Sequence, residues 1–168
     1  KKITIYDKDG KQVNRQIKIS KIIDGQVDLG DYKHFMQKEI FEQPQSIRDT
    51  LESRITKKNV VVSAFGHNFK NIVKNIKQVQ IVACGTSFNA GLVAKYWLED
   101  IAKIPCNVEV ASEYRYRHPI ILDDTLFVTI SQSGETADTL EALKTAKKIN
   151  KKIYTLCICN SAESSITR

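Results

Sequence analysis

The chain has 168 residues, enough for one medium domain with an appendage, and its 42% hydrophobic and 27% charged content excludes a disordered polypeptide. Its net charge of +7 comes from scattered lysines rather than one basic element, which argues for a solvated surface and against a nucleic-acid partner. No apolar run approaches the roughly 20 residues that span a bilayer, and Lys1-Lys2-Ile3-Thr4 does not open a signal peptide, so a cytoplasmic protein with no membrane partner is expected.

Residues 1–19 hold two β-prone runs, at 3–6 and 13–19, around Asp7-Lys8-Asp9-Gly10-Lys11, whose Asp-Gly step predicts a hairpin turn. A hairpin alone is marginal in water, so it is expected to be the tail of an upstream domain or to dock on the rest of the chain. From Asp31 the pattern turns helical. One helix is predicted over 34–42, ending before Pro44 because proline drives its predecessor out of the α region. A second is predicted to start at Pro44 and run through Ile47, Leu51 and Ile55 at four-residue spacing. Phe69, Ile72, Val73 and Ile76 mark a further amphipathic helix.

From Val79 the pattern alternates between strand and helix. Strands are predicted at 79–83, 107–111, 125–130 and 153–158, three of them with the near-continuous apolar content of strands buried on both faces. Helices are predicted at 88–101 and 136–149, with a short helical or irregular piece at 113–117. This alternation implies an α/β fold, a flavodoxin-like open parallel sheet with helices on both faces, preceded by a β-hairpin and linker helices. The predicted organisation is a leading segment at 1–30, a helical linker at 31–60 and the α/β domain at 61–168. The cysteines Cys84, Cys106, Cys157 and Cys159 form no CxxC pair and no zinc ligand set with the histidines, so reduced thiols and no metal are expected. Cys157 and Cys159 should share one face of the last strand.

Chemistry in an open α/β sheet sits beyond the carboxyl ends of its strands, where strand order reverses. The first strand runs into Cys84-Gly85-Thr86-Ser87 and the third into Ser131-Gln132-Ser133-Gly134-Glu135-Thr136. In the order 2-1-3-4-5 these two loops border one crevice. The second loop offers hydroxyls at Ser131, Ser133 and Thr136, an amide at Gln132, and a glycine that would let backbone approach a ligand, all at a helix N-terminus suited to phosphate. Capping needs one such side chain, and this loop has more. Glu135 would repel an anion unless it points away. With no G-x-G-x-x-G after the first strand and no G-x-x-x-x-G-K-[ST], dinucleotide and P-loop sites are disfavoured and no cofactor is expected.

The string 131–139, with Cys84-Gly85-Thr86-Ser87 before it, resembles the sugar isomerase (SIS) domain of the glucosamine-6-phosphate synthase family, the glutamine:fructose-6-phosphate amidotransferases. His34-Phe35-Met36-Gln37-Lys38-Glu39-Ile40-Phe41-Glu42-Gln43-Pro44 is similar to that family's linker, and Ala111-Ser112-Glu113-Tyr114-Arg115-Tyr116-Arg117 to its segment after the second strand. The likeness runs over roughly residues 32–168. It implies that Ser131, Gln132, Ser133 and Thr136 hold the phosphate of fructose 6-phosphate and that Thr86 and Ser87 contact the sugar, with glucosamine 6-phosphate as product. It implies a homodimer, a glutaminase domain ending in the hairpin, and a second SIS domain with a C-terminal tail that together carry the Schiff-base lysine, proton-moving glutamate and ring-opening histidine. The chain is therefore expected to be a piece of a longer protein with no catalytic residue of its own. Lys95, Lys103, Glu99 and His118 match no motif and are assigned no role. The alternative is an SIS-type sugar-phosphate-sensing regulatory or assembly module without catalysis. No three-helix unit with a basic recognition helix in the first sixty residues supports a DNA-binding form of it.

Overall fold

Near-continuous apolar runs demand burial on both faces, and in the computed structural model, which describes residues 3–15, 28–66 and 68–168, they form the centre of a parallel sheet. The chain divides into two compact units, Lys1–Glu52 and Ser53–Arg168.

In the first unit β1 (Ile5–Tyr6) pairs antiparallel with β2 (Gln12–Val13), Ile5 opposite Val13. Asp7 closes the loop: its carboxylate accepts the N–H groups of Asp9 and Lys11 at 3.0 and 2.9 Å. The hairpin is as expected, but its second strand is shorter than 13–19, and residues 16–19 lie outside the described residues. The next element corrects the expected pair of helices. A single helix, α1 (Phe35–Leu51), runs straight through Pro44. Proline removes one helix bond and crowds the Ile40 carbonyl, a cost the helix bears here; Ile40 is exposed, so water can take the bond that its carbonyl loses. No described residue of α1 is buried, so its apolar positions Ile40, Ile47 and Leu51 are exposed. The helix ends before Ile55, because Ser53 takes a left-handed φ of 60°. Ile55 instead bridges Val60 in the second unit.

The second unit opens with a 3-10 turn, Val62–Phe65, and α2 (Phe69–Asn75). Four parallel strands follow: β3 (Gln78–Ala83), β4 (Cys106–Val110), β5 (Thr125–Ser131) and β6 (Tyr154–Cys159), in the spatial order β4-β3-β5-β6. Between them lie α3 (Gly85–Asp100), α4 (Ala111–Tyr116) and α5 (Ala137–Ile149), and a 3-10 turn, Ser165–Thr167, ends the chain. Numbered from the first parallel strand, this is the expected 2-1-3-4 arrangement. The strand predicted at 107–111 starts one residue earlier, and of the two forms left open for the short piece after it the structure takes the helical one, α4.

Alternation along β3 and β5 sends side chains to opposite faces. On one face Val79, Ile81, Leu126 and Val128 pack with Ala94 and Leu98 of α3. On the other Val82 and Phe127 pack with Tyr114 of α4 and with Ala142 and Ala146 of α5. Each large aliphatic or aromatic side chain sealed this way contributes about 1.5–3 kcal/mol of hydrophobic stabilisation. Tyr114 meets Phe127 edge to face at 5.5 Å, and burial pushes its phenol up to about 12, so it stays neutral. Among the described residues no helix is long and apolar enough to cross a membrane.

Candidate functional site

The register of the sheet brings the two polar junctions to neighbouring strand ends. Ala83 of β3 pairs with Ile130 of β5, so one step further along both parallel strands lie Cys84 and Ser131. Ser131 in turn pairs with Cys159 at the end of β6. From there α3 leaves on one face of the sheet and α5 on the other, the geometry of a switch point.

The first junction is tighter than expected. The helix predicted from Phe88 begins at Gly85, so Thr86 and Ser87 sit within its first turn rather than in a loop before it. Gly85 makes this possible with a φ of +58°, a conformation that carries little penalty only for glycine. Thr86 is exposed and Ser87 half-buried. Cys84 holds the N-cap position without a side-chain hydrogen bond to the helix.

The second junction is a knot of internal hydrogen bonds. Ser131 is buried, and its hydroxyl accepts the Gly134 N–H at 3.0 Å and lies 3.3 Å from the Thr136 hydroxyl. Ser133 is exposed, and its hydroxyl accepts the Glu135 N–H at 3.2 Å, which leaves its own proton free to donate. The Gln132 side chain is exposed, while its carbonyl lies 3.7 Å from the Cys159 thiol. Thr136 is the N-cap of α5 but makes no side-chain cap bond. The first-turn N–H groups of α5 are thus left for another acceptor at the positive end of the helix dipole.

Both acids beside this junction are already engaged. The Glu135 carboxylate accepts the Ser165 N–H and the Ser165 hydroxyl, each at 2.7 Å, and these bonds, the side-chain one foremost, hold its pKa below the ordinary glutamate value. The depressed value means that its contribution to stability is present above the unfolded glutamate range and is lost as pH falls through the folded value. Asp138, in the first turn of α5, accepts Arg115 Nη1 at 2.6 Å, a bond that raises the guanidinium pKa further. Glu135 thus keeps its charge but is occupied by Ser165 and takes none of the loop's own donors.

The residues that the sequence reading missed lie after β6. Ser164 is buried, and a Cβ on Gly134 would stand 2.1 Å from its hydroxyl oxygen and 2.8 Å from the Cys159 sulfur. The structure gives this glycine a reason that the sequence did not show: at φ +68° it makes room for Ser164 and Cys159. The signal was the hydroxyl-rich Ser161-Ala162-Glu163-Ser164-Ser165-Ile166-Thr167, which in a parallel sheet must emerge at the same edge as the other two junctions. One cavity, of about 350 Å³, is lined by Ile166 and Thr167 of this segment with Lys147 of α5 and Cys157 of β6, and another, of about 420 Å³, by Arg117, His118, Lys144 and Lys148.

Residues 72–168 match the family model of the SIS domain. The chain belongs to the SIS domain family. This SIS domain chain is 51% identical over 166 residues to the isomerizing glutamine–fructose-6-phosphate aminotransferase of Shewanella oneidensis, an alignment that covers 99% of this chain and 27% of that protein. The chain therefore spans about a quarter of the length of the curated relatives it matches. Among solved structures it is similar to the C-terminal domain of glucosamine-fructose-6-phosphate aminotransferase from Francisella tularensis, with a TM-score of 0.79 and 47% identity over 84% of this chain and 39% of that one. Tagatose-6-phosphate ketose/aldose isomerase from Escherichia coli shares the fold, with a TM-score of 0.60 at 15% identity over 80% of this chain and 37% of that one.

Proposed function

We propose that this chain is the sugar-phosphate-binding half of the isomerase region of an amidotransferase that converts fructose 6-phosphate and glutamine to glucosamine 6-phosphate and glutamate. Ser133, Thr136, Ser131 and Gln132, with the free amides at the start of α5, receive the phosphate. Thr86 and Ser87 reach the sugar from the neighbouring junction. The observation that carries this reading is the β3–β5 register, which sets both polar junctions at adjoining strand ends while Glu135 is tied to Ser165. A phosphate at a helix start with donor hydroxyls needs no metal and no cofactor to be held.

In this reading the chain binds and orients the sugar and supplies no catalytic group. Residues 1–30 are the tail of a glutaminase domain with its linker, 31–60 a helical linker, and 61–168 the first SIS domain. Its partners are a second SIS domain, the glutaminase domain and a second copy of the whole, in the cytoplasm. The likeness to the named aminotransferases over nearly the whole chain supports this. The test is thermal unfolding with fructose 6-phosphate or glucosamine 6-phosphate: ligand at a hundred times its dissociation constant adds about 2.7 kcal/mol of stability. A chain whose unfolding is unmoved by either ester up to solubility refutes the reading.

A further inference from the structure

We propose that Glu135 is a positioning residue, which clamps the phosphate-binding loop to the turn after β6 and makes no contact with the ligand. The inference rests on the site reading above and deepens it. Glu135 stands between Ser133 and Thr136, where an unpaired carboxylate would oppose a phosphate dianion. Its two oxygens instead accept the N–H and hydroxyl of Ser165, each at 2.7 Å. One residue back, the Gly134 carbonyl accepts the Ile166 N–H at 3.1 Å, so the loop is stapled to a segment thirty residues away by three hydrogen bonds.

The opposite side of the loop is held as well, by the Gly134 N–H to the Ser131 hydroxyl. Beneath it, Ser164 and the Cys159 sulfur fill the space that a side chain at position 134 would need. The peptide unit joining Gly134 to Glu135 is thus held at its carbonyl by the Ile166 N–H and at its own N–H by the Ser133 hydroxyl, at 3.2 Å, while the Ser131 bond holds the peptide before it. That peptide leads directly into Thr136 and the first turn of α5, so its orientation decides where the unused amides of the helix start point. The carboxylate at position 135 spends both oxygens on Ser165 rather than on the donors of the loop. Ser165 carries the other half of the clamp, and both groups act on the ligand only through the backbone they hold.

The experiment compares Glu135→Ala, Glu135→Gln and Ser165→Ala in this chain, by calorimetric titration with fructose 6-phosphate and with inorganic phosphate, and by amide hydrogen exchange without ligand. Glu135→Ala is expected to weaken fructose 6-phosphate by about tenfold through the loosened helix start, and to lower the unfolding midpoint modestly, since the bonds to Ser165 are made with or without ligand. Glu135→Gln keeps an acceptor oxygen for the Ser165 N–H and restores most of that loss, and Ser165→Ala falls between the two. Exchange at the Gly134 and Ile166 amides accelerates in Glu135→Ala while the amides of β3 stay protected. Should Glu135→Ala fail to fold, the Glu135→Gln and Ser165→Ala pair decides by the same readouts. Wild-type affinity in these variants with Ile166 still protected overturns the clamp alone, as does tighter binding on removal of the charge. A wild-type chain that binds neither probe overturns the site reading on which the clamp rests.

Discussion

The two strand-to-helix junctions are written in the same residue types, glycine, serine and threonine, yet they are built differently. At the first, Gly85 has a φ of +58° and open space around it, and the polar residues fall within a helix turn with no bracing from another segment among the described residues. At the second, Gly134 has a φ of +68° and is crowded by Ser164 and Cys159, and the loop is tied on one side to Ser131 and on the other to Ser165 and Ile166. A glycine before a helix thus means two things. One gives the chain freedom to turn, and the other makes room for a brace. A rigid loop suits an anion, whose binding depends on several donors aimed at one point before it arrives.

The largest expected effect that tests this contrast is Gly134→Ala. The left-handed backbone costs a non-glycine residue about 1–2 kcal/mol, and the overlap with Ser164 adds overpacking of about 1–3 kcal/mol. Chemical unfolding should register the sum, and an unchanged midpoint would remove the distinction between the junctions. Next comes Ser133→Ala, which removes a donor to a charged group and should weaken fructose 6-phosphate by roughly ten- to a hundred-fold in calorimetry, with the fold intact and only the exposed bond from the Glu135 N–H lost. Gly85→Ala should cost only the backbone share, about 1–2 kcal/mol, because nothing lies within 4 Å of the added carbon. A loss as large as that of Gly134→Ala would show that the first junction is braced too. The smallest effect is that of Thr86→Ala, where a neutral hydrogen bond of about 0.5–1.5 kcal/mol predicts a several-fold loss of affinity and no change in the unfolding midpoint.

The sheet was legible in the sequence because burial on both faces leaves an unbroken apolar signature, as in Val79 to Ala83 and Leu126 to Val128. The neighbouring placement of the two junctions was legible because the strand and helix alternation implies the order in which β3 and β5 adjoin. Pro44 misled because its bias on the preceding residue is a preference that a helix can override, and on α1 the bond it removes is at an exposed residue that water can serve. The start of α3 was set three residues late, since Gly85 reads as a turn until its backbone is seen to enter the helix directly. The clamp was not legible at all. Glu135 and Ser165 are thirty residues apart, and no local pattern says which way a carboxylate at a helix start will turn. Their pairing depends on the path taken after β6.

The most direct test of the claim that both junctions serve one ligand is a nitrogen–proton correlation spectrum of the chain titrated with fructose 6-phosphate. The account predicts that amides at 84–88 and 131–139 shift together along one saturation curve. Shifts at one junction only, or centred on Lys144 and Lys148 in the basic cavity by α5, would contradict it.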